Sequence, residues 1–116
     1  MDSIEKIKRQ IAENPILLFM KGSPTLPSCG FSAQAVQVLF ACIEKFSYVD
    51  VLKHPEIRAE LPKYANWPTF PQLWVDQKLI GGCDIIIEMF QHGELQSIIK
   101  ETADKYPLCS SPDSIN

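Results

Sequence analysis

A chain of 116 residues, with 46% hydrophobic and 22% charged residues, is long enough for one globular domain with its own apolar core. The net charge of -3 and the scattered basic residues argue against nucleic-acid binding, and the first apolar run, Ile16 to Met20, is too short for a membrane span or a signal peptide core. We therefore expect a cytoplasmic protein whose four cysteines are reduced thiols rather than a disulfide framework.

Hydrophobic periodicity predicts an alternation of helices and strands. Asp2 and Glu5 have the spacing of a capping box at the start of the first helix, and Asp84 is the predicted N-cap of a later one. Short apolar runs bounded by proline or glycine are typical of buried strands. In chain order we predict a helix up to Glu13, a strand at Ile16–Met20, a loop from Lys21 to Ser28, a helix from Cys29 to Ile43, a strand at Phe46–Leu52, a helix at Pro55–Tyr64, strands at Gln72–Val75 and Leu79–Gly81, and helices at Ile85–Gln91 and Glu94–Ala103.

This order of elements predicts an α/β fold with a four-stranded mixed sheet and helices on both faces. Parallel strand pairs need a crossover helix between them, whereas the last two strands are close enough to form a hairpin. We expect a single domain over residues 1–104. The remaining residues, 105–116, include Pro107 and Pro112 among polar neighbours and are predicted to form a flexible tail that carries Cys109.

The motif Cys29-Gly30-Phe31-Ser32 places one cysteine at a predicted helix start, with serine where a redox pair would have its second thiol. A lone thiol can attack, ligate metal or accept glutathione, but it cannot close a local disulfide. The helix N-terminus favours the thiolate. Lys21, at the end of the preceding strand, is a candidate second source of positive charge, and its alternative role is that of an exposed loop lysine.

The chain resembles the single-domain monothiol glutaredoxins in four sequence blocks that occur in the order typical of that family. The blocks are Lys21–Pro24, Cys29–Ser32, Trp67–Leu73 and Gly81–Asp84. Four blocks in one order are far more specific than one four-residue motif. The resemblance implies a thioredoxin-like fold, which agrees with the predicted order of elements.

The resemblance also implies a glutathione site beside the catalytic Cys29. In it, Arg58 meets one glutathione carboxylate, the helix start at Cys83 holds the other, and Asp84 binds the amine. Lys21 and Phe70 complete the predicted set. A cis peptide before Pro71 would let the Phe70 backbone pair with an extended peptide, whereas a trans proline at the start of an edge strand is the alternative.

The other cysteines and the two histidines are predicted to have minor roles. Cys83 could also approach Cys29 and resolve a disulfide, although its role as a backbone ligand suffices. Cys42 is predicted to be a buried, inert thiol. His54 and His92 lack metal-ligand spacing with any cysteine and are expected to be surface or capping residues.

A [2Fe-2S] cluster usually takes four thiolate ligands, and Cys29 supplies one per chain. The resemblance implies a homodimer in which two Cys29 thiolates and two glutathione molecules hold the cluster, and a carrier that transfers it to apo iron–sulfur proteins, with BolA-like proteins as further partners. The long stretch from Lys21 to Ser28 is linked by the resemblance to cluster binding. The alternatives are a glutathione-dependent thiol-disulfide oxidoreductase that uses Cys29 in a monothiol cycle, and a redox-silent binding module.

Overall fold

A four-stranded mixed sheet forms the middle layer of the computed structural model, which describes residues 2–106. The helices and strands are α1 (Ser3–Glu13), β1 (Ile16–Met20), β2 (Gly22–Ser23), β3 (Leu26–Pro27), α2 (Gly30–Cys42), β4 (Ser47–Asp50), α3 (Pro55–Ala65), β5 (Gln72–Val75), β6 (Lys78–Gly81), α4 (Cys83–Gln91) and α5 (Glu94–Lys105). The strand order is β4-β1-β5-β6, with β1 parallel to β4, antiparallel to β5, and β6 antiparallel to β5. The predicted α/β class and four-stranded mixed sheet are confirmed.

Strand β1 lies at the centre of the fold because all five of its side chains are buried. Successive side chains of a strand point to opposite faces of the sheet. Leu18 and Met20 accordingly enter an apolar cluster with residues of α2, α4 and α5, while Leu17 and Phe19 enter a second cluster with residues of α1 and α3. Both faces of the sheet are therefore covered by helices, as predicted. None of the helices in residues 2–106 has the length and apolarity needed to cross a membrane.

Two local predictions are wrong around the turns. The stretch from Lys21 to Ser28, predicted as a loop, contains the two-stranded hairpin β2–β3, in which Ser23 pairs with Leu26. Asp84 is not the N-cap of α4, because the extended cap conformation falls on Gly82 and α4 begins at Cys83. Glycine is among the residues preferred at the N-cap, and the observed N-cap lies two positions before the predicted one. The Asp84 carboxylate therefore makes no capping hydrogen bond.

The last helix runs past residue 103, where the sequence pattern predicts its end. Helix α5 continues to Lys105, and Tyr106 is its C-cap. Both residues reach the turn between β5 and β6: Lys105 Nζ donates to Asp76 Oδ2 at 3.1 Å, and the Tyr106 hydroxyl donates to Asp76 Oδ1 at 3.0 Å. These hydrogen bonds hold Lys105 and Tyr106 against the turn between β5 and β6. The rest of the predicted tail, including Cys109, lies outside the described residues.

The contact at Asp76 predicts a pH-dependent contribution to stability. Hydrogen bonds from Lys105 and Tyr106 and the charge of Lys105 hold the pKa of the Asp76 carboxyl below its ordinary value. A depressed folded-state pKa stabilises the fold above the unfolded pKa of about 3.9, and this contribution is lost as pH falls through the folded pKa. Asp76→Asn is therefore expected to have a lower Tm than the wild type at pH 7 and to lose that difference in strong acid. Melting curves between pH 2 and 7 check this, and a difference independent of pH would contradict it.

Candidate functional site

Cys29 is the N-cap of α2, with extended backbone at φ -151° and ψ 155°. Its sulfur takes the place of the usual capping oxygen and accepts the backbone N–H of Ser32 at 3.3 Å. The predicted position of Cys29 at the start of the second helix is confirmed. The sulfur therefore lies where the unpaired N–H groups of a helix favour negative charge.

Ser32 is a fully buried residue whose hydroxyl oxygen lies 3.2 Å from Cys29 Sγ. The same oxygen accepts the backbone N–H of Lys21 at 3.1 Å. A hydroxyl has one hydrogen to donate and two lone pairs to accept. Its bond from the Lys21 N–H uses one lone pair, so the hydrogen remains free to donate to the sulfur when Cys29 is a thiolate. The sequence interpretation treated Ser32 only as an absent thiol. The sequence does contain a signal for this contact: Ser32 is the third residue after the N-cap, and an N-cap side chain accepts the backbone N–H of the second or third residue that follows it.

The hydrogen bonds around Cys29 lower the pKa of its thiol. Burial acts against ionisation and is the largest single influence, but hydrogen bonds from the hydroxyl and N–H of Ser32, the positive charge of Lys21 and the N–H of Phe31 together outweigh it. The predicted contribution of Lys21 to the thiolate is thus present. A lowered pKa increases the fraction of the reactive, metal-binding thiolate at neutral pH.

The five residues predicted for the glutathione site come together in one cleft of about 630 Å³. They are Lys21, Arg58, Phe70, Cys83 and Asp84. Cys29 is not itself in the lining, but Phe31, two residues later, is. A cleft of this volume lies within the ordinary range of small-molecule sites.

The walls of the cleft combine charge, backbone donors and an extended segment. Arg58 on α3 and Lys21 after β1 provide cations, while the first N–H groups of α4, at Cys83 and Asp84, have no acceptor within the helix. The peptide bond between Phe70 and Pro71 is cis, as predicted. These groups can hold a short, extended peptide that carries carboxylates and an amine.

Several lining residues were not predicted as site residues. They are Phe31, Pro62, Trp67, Pro68, Thr69, Pro71, Gly82 and Ile85. Trp67 packs against Gly82, where an added Cβ would lie 3.3 Å from the indole Nε1 and from the Pro71 carbonyl oxygen. A side chain at Gly82 would therefore be in tight contact with both neighbours, which would have to move by a few tenths of an ångström. The sequence block that contains Trp67 was recognised, but side-chain packing against a distant glycine has no sequence pattern.

Cys83 is a buried thiol that donates to Gln34 Oε1 at 3.3 Å. Burial, the carboxylate of Asp84 and the charge of Cys29 all raise the pKa of the Cys83 thiol. Burial likewise raises the pKa of Cys42, which was predicted to be a buried thiol and is half-buried in the structure. Cys29 thus differs from the two other described cysteines, because only its surroundings favour the thiolate.

This difference predicts the order in which the cysteines react. Brief exposure to iodoacetamide at pH 7 is expected to modify Cys29 well before Cys42 and Cys83, because the thiolate is the nucleophile. Mass spectrometry of the digested protein gives the extent of modification at each position. Equal rates at Cys29 and Cys83 would show that the hydrogen bond to Gln34 and the burial of Cys83 do not suppress its reactivity.

The two histidines lie at helix ends, as predicted. His54 is the N-cap residue of α3 and His92 the C-cap residue of α4. Within residues 2–106, no group of three or more His, Cys, Asp or Glu side chains is arranged to hold a metal ion.

Comparison with known proteins agrees with the fold and the cysteine motif. The family profile described as glutaredoxin matches residues 16–80. The chain is 79% identical over 104 residues to glutaredoxin 4 of Escherichia coli K12, covering 90% of each chain, and 67% identical over 107 residues to glutaredoxin 4 of Pasteurella multocida, covering 92% of this chain and 98% of that protein.

A solved structure supports the same assignment. The solution structure of reduced poplar apo GrxS14 superposes with a TM-score of 0.74 at 37% identity, over 87% of this chain and 93% of the poplar chain. The predicted thioredoxin-like fold is thereby confirmed. With one cysteine in its Cys29–Ser32 motif, this chain belongs to the glutaredoxin family and is a monothiol member of the bacterial glutaredoxin 4 group.

Proposed function

We propose that this monothiol glutaredoxin carries a [2Fe-2S] cluster in a glutathione-ligated homodimer and transfers it to apoproteins in the cytoplasm. The observation that supports this most strongly is the arrangement at Cys29: one cysteine with a lowered thiol pKa stands beside a cleft suited to a charged peptide. A [2Fe-2S] cluster needs four ligands, so two chains and two peptide thiols make a complete set.

Glutathione is the peptide that this cleft fits best. It has two carboxylates and one amine, and the cleft offers Lys21, Arg58 and the N-terminus of α4 for the carboxylates and Asp84 for the amine. The Phe70 backbone would pair with the extended middle of the peptide. Bound in this way, glutathione would present its own thiol next to Cys29 as the second ligand from each half of the dimer.

The surface around Cys29 supports contact with a second protein. Leu26 is 76% exposed and Phe31 is 64% exposed, and they lie on either side of Cys29 in sequence. Large apolar side chains exposed at a reactive position are typical of surfaces that become covered. We infer that a second subunit covers them in the cluster-loaded dimer and that recipient apoproteins or BolA-like partners use the same surface.

Glutathione ligands make the cargo easy to release. Each is held by non-covalent contacts to the protein, so half of the ligand set can dissociate without breaking a protein–sulfur bond. A carrier needs this property because the cluster must leave for a recipient whose own cysteines bind it more firmly.

A second candidate function is deglutathionylation of proteins. The Cys29 thiolate would attack the glutathione sulfur of a mixed disulfide and release the protein thiol; a second glutathione would then attack the new disulfide, regenerate Cys29 and leave as oxidised glutathione. The lowered pKa of Cys29 favours this activity, and Ser32 cannot intercept the intermediate. Turnover of a glutathionylated substrate by the cluster-free protein measures it separately.

Anaerobic reconstitution with iron, sulfide and glutathione tests the carrier function. We expect a coloured species that elutes as a dimer, with about one cluster per two chains. Cys29→Ser should stay colourless and monomeric, whereas the matched variant Cys42→Ser should load normally, because Cys42 lies at the other end of α2. Wild-type protein that remains a colourless monomer while it turns over glutathionylated substrate would favour the enzyme instead.

A further inference from the structure

Asp50 is a buried carboxylate that contacts the chain segment leading to Cys29. It ends β4, beside the end of β1, and is 7% exposed. Its Oδ1 atom accepts two backbone N–H groups, from Gly22 at 3.0 Å and from Leu52 at 2.9 Å. Burial of a carboxylate is unfavourable unless hydrogen bonds compensate for the lost water, so these two donors account for its presence there.

The bond to Gly22 connects Asp50, through a single peptide group, to Ser28 beside Cys29. The N–H of that group, from Gly22, donates to Asp50, and its carbonyl, from Lys21, accepts the N–H of Ser28 at 2.9 Å. Ser28 is the residue before Cys29. The two bonds fix the peptide plane from opposite sides, and hydrogen bonds in such a chain strengthen one another.

The segment between these contacts is tightly folded. Gly22 has φ +92°, and a Cβ there would lie 2.6 Å from the Leu26 carbonyl oxygen and 2.6 Å from the Ser28 nitrogen. The N–H of Lys21 is held separately by Ser32 Oγ. Both N–H groups at the start of the hairpin, those of Lys21 and Gly22, are thus bound by buried side chains, one of which also contacts the sulfur of Cys29.

We propose that Asp50 is a positioning residue for Cys29: its carboxylate tethers the Lys21–Gly22 peptide, and that tether sets the place of Ser28 and the approach of Lys21 to the sulfur. This role deepens the proposed function, since Cys29 is the sulfur on which that function depends. It concerns the reactivity of Cys29 in the cluster-free protein and requires neither glutathione nor cluster, so the two can fail independently.

Two substitutions separate the tether from the charge. Asp50→Asn keeps an oxygen acceptor in the same place, whereas Asp50→Ala removes it. Loss of a negative charge by itself can only favour a nearby thiolate, so a purely electrostatic role predicts that neither variant slows Cys29. The tether predicts that the alanine variant is slowed and that asparagine restores the rate.

The test is the rate of iodoacetamide modification of Cys29 at pH 7, with Cys42 followed in the same sample. We expect Asp50→Ala to slow Cys29 by about threefold or more, and Asp50→Asn to stay within about twofold of the wild type. The rate of Cys42 modification should be the same in both variants as in the wild type. A faster rate at Cys42 would indicate general loosening of the fold, which would expose that half-buried thiol. Asp76→Ala, which removes another carboxylate with two hydrogen bonds, is the matched control and should leave Cys29 unaffected.

Equal Cys29 rates in the alanine and asparagine variants would overturn the role of Asp50. Amide hydrogen exchange in the wild-type protein provides a second measurement that needs no variant. The Gly22 amide should be strongly protected if the tether holds, and exchange at the rate of a free amide would also overturn the proposal. If the alanine variant does not fold, the exchange rate of the Gly22 amide in the wild-type protein tests the tether by itself.

Discussion

Gly22→Ala is expected to destabilise the protein by about 2 kcal/mol or more, because two independent costs fall on one position. The backbone at Gly22 has a φ of +92°, which L residues rarely adopt, and an added methyl group would lie 2.6 Å from two backbone atoms. One atom belongs to the hairpin and the other to Ser28 directly after it, so relief of the clash requires movement of the backbone that leads to Cys29. Denaturant unfolding measures the free energy, and the rate of Cys29 modification should fall with it.

Two other glycines separate these costs. Gly93 has φ +76° but open space around the position of a Cβ, so Gly93→Ala should cost about 1 kcal/mol from backbone conformation alone. Gly30 has neither a positive φ nor a neighbour within 4 Å and begins α2, so Gly30→Ala should leave the free energy of unfolding unchanged or slightly higher. If Gly22→Ala lowers the free energy of unfolding no more than Gly93→Ala does, the hairpin backbone can shift to accommodate a methyl group, and the proposed tight packing is wrong.

Ser32→Ala is expected to slow the modification of Cys29 about tenfold at pH 7. The substitution removes the hydroxyl that lies 3.2 Å from the sulfur, and a hydrogen bond to a charged group contributes about 1.5 to 3 kcal/mol. It also leaves the Lys21 N–H without its acceptor, which should lower the free energy of unfolding by about 1 to 2 kcal/mol. Both effects follow from one buried oxygen, so they should appear together.

Ser97→Ala is the matched control for this substitution. The Ser97 hydroxyl donates to the Gly93 carbonyl oxygen at an exposed position on α5, and its removal should change neither the stability by more than about 0.5 kcal/mol nor the reactivity of Cys29. An unaltered rate of Cys29 modification in Ser32→Ala would show that the serine only fills space in the motif.

The features that sequence predicted well have local physical causes. β1 is an uninterrupted apolar run between Pro15 and Lys21, and such a run is typical of a strand with both faces covered. Cys29 was placed correctly because the helical period begins directly after it. The five cleft residues were found through the family resemblance, since they come from distant parts of the chain and no local pattern connects Arg58 with Asp84.

The features that sequence did not predict depend on contacts between distant residues. The hairpin β2–β3 has strands of two residues, too short for an alternating pattern. Gly82 is the N-cap of α4 and lies in tight contact with Trp67 and the Pro71 carbonyl, neighbours that the local sequence does not reveal. In the sequence, Asp50 is one polar residue inside the predicted strand Phe46–Leu52, and only the pairing of β4 with β1 brings it to Gly22.

Native mass spectrometry of the anaerobically reconstituted protein tests the central proposal most directly, because it weighs the complete assembly. We expect one species with the mass of two chains, one [2Fe-2S] cluster and two glutathione molecules. Removal of glutathione should release both the cluster and the second chain. A cluster-loaded species that contains no glutathione, or one in which a single chain holds the cluster, would contradict the proposed ligand set.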